Sequence, residues 1–94
     1  MKNYQQISAL KLQQMLEERN YWLRIHNNKL LCKTQTNKPA KIVDGGTSKI
    51  LTYYDEHINY LCTIHQVTTR DWQIIHEDVK DALLDGIWYK ATHY

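Results

Sequence analysis

Four turn signals cut the middle of this chain into short pieces: Asn27-Asn28, Gly45-Gly46, Asp55-Glu56 and Arg70-Asp71. The runs between them are rich in Ile, Leu, Val, Tyr and Thr and too short for long helices. Runs of that kind, bounded by Asn, Gly and Asp, read as strands. Ninety-four residues make one domain, 1–94, with material for one modest core. The expected fold is therefore α+β: an N-terminal amphipathic helix packed on an antiparallel meander of four to six strands, with a short helix near the C-terminus.

The first helix is expected over residues 3–19. Ile7, Leu10, Leu12, Met15 and Leu16 recur at steps of three and four. Ser8 is a candidate cap, with Ile7 and Leu12 as a hydrophobic staple, and Asn3 with Gln6 is a rival start one turn earlier. Asn20 is a left-handed stop. "YWLRIHNNKLLCK" then reads as a hairpin about Asn27-Asn28, with Ile25 opposite Leu30 and Leu23 opposite Cys32. That register gives an outer face carrying Trp22, Arg24, His26, Lys29, Leu31 and Lys33.

Residues 34–41, with the one proline, read as a polar loop. "KIVDGGTSKILTYY" reads as a short strand, a glycine turn and a strand from about Ser48 to Tyr54. A two-residue turn at Asp55-Glu56 sets Tyr53 opposite Ile58 and Leu51 opposite Tyr60. A strand runs on to Thr68. In "DVKDALLDG" Asp78 is placed to cap a short helix, with Asp81 in its first turn and Gly86 as its stop. "IWYKAT" closes the chain as a last strand.

If Arg70 and Asp71 form a two-residue turn, His65 lies across from His76, with Asp78 on the same face. Two imidazoles at cross-strand range can share a metal or act as acid and base around a phosphate, and Asp78 can orient one of them. A metal site wants a third ligand at fixed spacing, and only Asp78 offers itself. Histidines that merely bond to strand neighbours are the simpler reading, so no cofactor and no metal are expected. His26, His57 and His93 fall at turns or at the terminus. No phosphate loop and no nucleophile elbow is present.

Charge is the other strong signal. Residues 1–49 hold nine Lys/Arg against three acids, and residues 50–94 hold three against seven. Either the fold interleaves the two halves or it presents a basic surface. Trp22, Arg24, Lys29, Lys33, Lys38 and Lys41 are the candidate partner-binding residues, since cations beside an aromatic suit phosphate contact plus stacking. An acidic protein groove is recognised by the same pattern.

The two cysteines form no C-x-x-C pair, so free, packed thiols in a reducing cytoplasm are expected. No charged-then-apolar leader opens the sequence, and no apolar run approaches about 18 residues, so no membrane partner is expected.

"ALKLQQMLEERNYWLRI" and "VKDALLDGI" resemble segments of the HicA-like toxins. The resemblance implies a double-stranded-RNA-binding-like fold and ribonuclease activity. The Gly-Ser-His signature of those toxins is missing; "HNNK" stands in its place. The reading reached is a small, non-enzymatic intracellular binding protein acting on a protein or a nucleic acid. It is of the accessory or inhibitor type that mobile elements and host-defence systems carry. The alternative is a ribonuclease using His65, His76 and Asp78. The oligomeric state is left open.

Overall fold

The computed structural model describes residues 3–92. Along the chain run β1 (Gln5–Ser8), α1 (Ala9–Glu18), α2 (Tyr21–His26), β2 (Cys32–Pro39), β3 (Thr47–Tyr54), β4 (Tyr60–Thr68), β5 (Ile74–Leu84) and β6 (Ile87–Thr92). The six strands form one sheet in the order β1-β6-β5-β4-β3-β2. From β2 to β6 each strand pairs antiparallel with the next, but β1 pairs parallel with β6, from Gln5↔Tyr89 to Ser8↔Thr92. The α+β class stands, but the sheet is mixed rather than an antiparallel meander, and a strand precedes the first helix. Among the described residues no helix is long and apolar enough to cross a membrane.

Ser8 caps α1, and its hydroxyl accepts the Lys11 N–H at 3.0 Å. Residues 5–8, expected to be helical, are drawn instead into the ladder with β6. Ile7 still packs against the core that holds Leu12, as a staple residue just outside a cap does. Leu12 and Leu16 are fully buried, each contributing roughly 1.5–3 kcal/mol. Asn20, at φ 64°, ends the helix as expected.

The expected hairpin at residues 21–33 is not there. Tyr21–His26 is a second helix. Tyr21, Trp22 and Ile25 turn to the core while Leu23 is exposed, which is helical spacing, not alternation. Asn28, at φ 56°, is left-handed, and Lys29 N–H bonds to the Arg24 carbonyl while Asn28 N–H bonds to that of Ile25. That is a Schellman stop, built from the same residues that a hairpin turn would use.

Residues 34–41 are mostly strand, not loop. β2 is an exposed edge whose last residue is Pro39, a place where a missing N–H costs little. The short strand expected before Gly45 is absent, and residues 41–45 are bends and turn. Asp55 Oδ1 accepts the N–H groups of His57 and Asn59, which hold its carboxyl below the usual range. This longer turn shifts the register, so Tyr53 meets Cys62 and Leu51 meets Ile64.

The helix expected from Asp78 is also absent, because residues 74–84 are β5. Asp85 and Gly86, at φ 53° and 77°, form the two-residue hairpin turn to β6. Gly86 therefore stops no helix, and Asp78 caps none.

Leu12, Leu16 and Ile25 cluster with Leu51, Tyr53, Cys62, Ile64, Val79, Ala82 and Leu84. Those sheet residues lie on one face, so α1 and α2 cover that face and leave the other open, a two-layer arrangement. The charge halves interleave: Arg19 pairs with Asp85, Arg24 with Glu56, and His26 with Glu77. Cys62 is buried, whereas Cys32, expected to be packed, is exposed on β2.

Candidate functional site

The sheet face without helices carries the polar chemistry, and it has two ends. At one end Tyr4, Trp88, Tyr60 and Tyr54 form a row of aromatic rings. Tyr60 stands 5.2 Å from Trp88 and 6.5 Å from Tyr54, and Trp88 stands 5.8 Å from Tyr4, centroid to centroid. The Tyr60 hydroxyl donates to Asp81 and accepts from Thr63. Burial and this bond to a carboxylate push the phenol far up, so it stays protonated. Lys90 lies over the Tyr4 ring at 5.9 Å, on one side of the face. Lys33 is paired with Thr52 on the other side.

At the other end stand His65, His76 and Asp78. The turn after β4 is longer than two residues: Thr69 N–H bonds to the Gln73 carbonyl, and Trp72 takes φ 66°. His65 therefore pairs with Asp78, and His76 with Val67. The expected pairing is displaced by two residues, and an even displacement preserves the face. The two imidazoles meet diagonally at 5.4 Å between centroids. His76 Nε2 lies 3.0 Å from Asp78 Oδ1, and His65 Nδ1 lies 3.4 Å from the same oxygen. His65 Nε2 is bonded to Ser48 Oγ at 2.9 Å. Lys80 Nζ is 3.8 Å from Asp78 Oδ2.

This convergence bears on acid–base chemistry. A pair of histidines acting across a phosphate needs a free nitrogen on each ring, turned toward the substrate. His65 Nε2 is taken by Ser48, and its Nδ1 faces Asp78 Oδ1 at 3.4 Å without a hydrogen bond to it.

The candidate partner residues do not share one surface. Trp22 packs against the core in the helix layer, with its ring 4.6 Å from that of His26. Arg24 is paired with Glu56 and lies over Tyr21. Lys29 follows the Schellman stop. The outer hairpin face meant to unite these residues does not exist, because residues 21–26 are helical. Lys33 and Lys38 lie on β2, opposite Thr52 and Ser48. Lys38 and Lys41 line a shallow hollow with Ser48, His65 and Val67.

Tyr4, Ser48, Tyr54, Tyr60, Trp88 and Lys90 were not among the residues expected to matter. A signal for the last two existed. Reading Asp85-Gly86 as a hairpin turn makes Trp88 and Lys90 alternate with Tyr89 and Ala91, which face the core.

No family model, no curated protein and no solved structure matches the chain. The resemblance to HicA-like toxins rests on its two segments alone. The second of them is strand and turn here, where that fold would have a helix.

Proposed function

We propose that this protein is a non-enzymatic binding module whose open sheet face takes a single-stranded nucleic acid. One observation carries the reading: a row of aromatic rings lies on a sheet face that no described helix covers, with lysines on either side. Bases stack on such rings whatever their sequence, at about 1–3 kcal/mol per base, while lysines follow the phosphates. Lys90, Lys33, Lys38 and Lys41 supply that charge. Asp81 keeps its negative charge while accepting the Tyr60 hydroxyl, and these four lysines outnumber it. The two cysteines, unpaired with each other, suit a reducing cytoplasm.

Fluorescence anisotropy with labelled oligothymidine and oligouridine tests the reading. Binding is expected to fall steeply as salt rises. Trp88→Ala should weaken it by the stacking scale of about 1–3 kcal/mol. The pair Lys33→Glu and Lys38→Glu should weaken it and flatten the salt slope. Absence of binding at low salt, or binding indifferent to Trp88, overturns the proposal. A protein partner that survives nuclease treatment and is lost in the lysine variants would assign the face to protein recognition instead.

A further inference from the structure

We propose that His65, His76 and Asp78 form a binding site for a divalent transition-metal ion of the zinc class. The site lies at the far end of the open face from the aromatic row, and it stands or falls independently of nucleic-acid binding.

The first argument is geometric. Asp78 Oδ1, His65 Nδ1 and His76 Nε2 all lie within 4.8 Å of one another. Metal–ligand bonds of about 2.0–2.2 Å at tetrahedral angles place neighbouring ligand atoms roughly 3.3–3.5 Å apart. Of the two nitrogen–oxygen separations, 3.4 Å falls in that range and 3.0 Å a little below it. The nitrogen–nitrogen distance is held within the same 4.8 Å, and the half-exposed His76 ring is the ligand with room to adjust. Two imidazoles and one carboxylate suit zinc and its neighbours better than calcium or magnesium, which want an all-oxygen shell.

The second argument is one of unmet demand. Asp78 Oδ1 is shut off from solvent and accepts no hydrogen bond. A carboxylate oxygen so placed is costly unless something positive faces it. The bond to Ser48 admits either tautomer of His65; with the proton on Nε2, the form a metal would take, the Nδ1 lone pair points at that same oxygen. Two acceptors then face each other at 3.4 Å, and a cation between them removes the conflict. Ser48 also occupies the place of the outer partner that a metal-bound histidine bonds through its second nitrogen.

Lys80 opposes the site. Its ammonium lies 3.8 Å from Asp78 Oδ2, so it shares the carboxylate with any bound ion. Three protein ligands leave a fourth position for water or for an anionic oxygen, as in open zinc sites.

Titration of the chelator-treated full chain with Zn²⁺ tests the proposal, with ring-nitrogen NMR as a second reading. One equivalent is expected to bind and to shift the His65 and His76 resonances. Asp78→Asn and His76→Gln should each weaken binding by more than about tenfold, the scale on which even outer partners act. Ser48→Ala should weaken it and Lys80→Gln should strengthen it, while His57→Gln leaves it unchanged. Lys80→Gln removes no ligand, so it answers the question even if a ligand variant misfolds. Lack of one-to-one binding, or binding unaffected by Asp78→Asn and His76→Gln, overturns the assignment in favour of a proton shared within the cluster.

Discussion

His26 Nε2 lies 2.7 Å from Glu77 Oε1 and ties helix α2 to strand β5 across the helix-covered face. Its Nδ1 meets the Trp22 carbonyl at 2.8 Å, and Glu77 Oε2 accepts from Gln66 at 2.9 Å. The small helix is thus pinned by a bond whose strength depends on a proton. Burial lowers the His26 pKa, but the Trp22 carbonyl and Glu77 outweigh it, and the net direction is upward from 6.5.

A folded value above the unfolded one means that the charged ring is favoured in the folded chain. The stabilisation is complete well below pH 6.5 and is lost as pH rises through the folded value. Urea unfolding at low and high pH, for wild type and His26→Gln, checks this. The cost of the substitution should be larger at the acid end by about 0.5–1 kcal/mol, the scale of a partly exposed pair. High salt should shrink that difference.

Gly46 and Gly86 should respond to alanine for different reasons. A Cβ on Gly46 would stand 2.5 Å from the Thr68 carbonyl oxygen, a backbone atom that cannot step aside cheaply. One on Gly86 would meet nothing within 4 Å and suffers only from φ 77°. Gly86→Ala is expected to cost about 1–2 kcal/mol through the left-handed backbone alone. Gly46→Ala should cost more and disturb the pairing of β3 with β4. Denaturant midpoints rank the two.

Removing the Ser8 hydroxyl should cost about 1 kcal/mol, as loss of an N-cap does. Ser8→Asp should keep the stability that Ser8→Ala loses. Equal stability of the two variants would show that the ladder with β6, rather than the cap, holds the start of α1.

The two thiols should separate cleanly. Cys32 is exposed on β2, while Cys62 is fully buried with its thiol pushed far up, first by burial. A thiol reagent should label Cys32 in the folded protein and reach Cys62 only at the rate of unfolding. Prompt labelling of both would mean that the core between β3, β4 and β5 opens locally.

Much of this was legible in local sequence, and the failures share a cause. Ser8, Asn20 and the Gly45-Gly46 turn are marked by residues whose backbone needs allow few alternatives. The Asn27-Asn28 pair is not, since a left-handed asparagine serves a Schellman stop as well as a hairpin. Asp85-Gly86 misled in the same way, with a left-handed glycine read as the end of a helix. The meeting of His65 and His76 was legible because alternation has period two, so an error of two residues in the turn left both rings on one face. The parallel pairing of Gln5 with Tyr89 leaves no local trace. Nor does the aromatic row, which four separate segments assemble.

That parallel pairing sets an order of events. As the chain leaves a ribosome, β1 and α1 emerge before the strands β5 and β6 on which they dock. Among the strands α1 packs chiefly on β5, and the sheet neighbour of β1 is β6, near the far end of the described chain. The apolar stripe of α1 must wait until β5 is made, and the closing contact, between β1 and β6, joins residues far apart in sequence. Such a chain folds late and all at once. Of the described segments, β1 and α1 are the ones that a holding chaperone would meet.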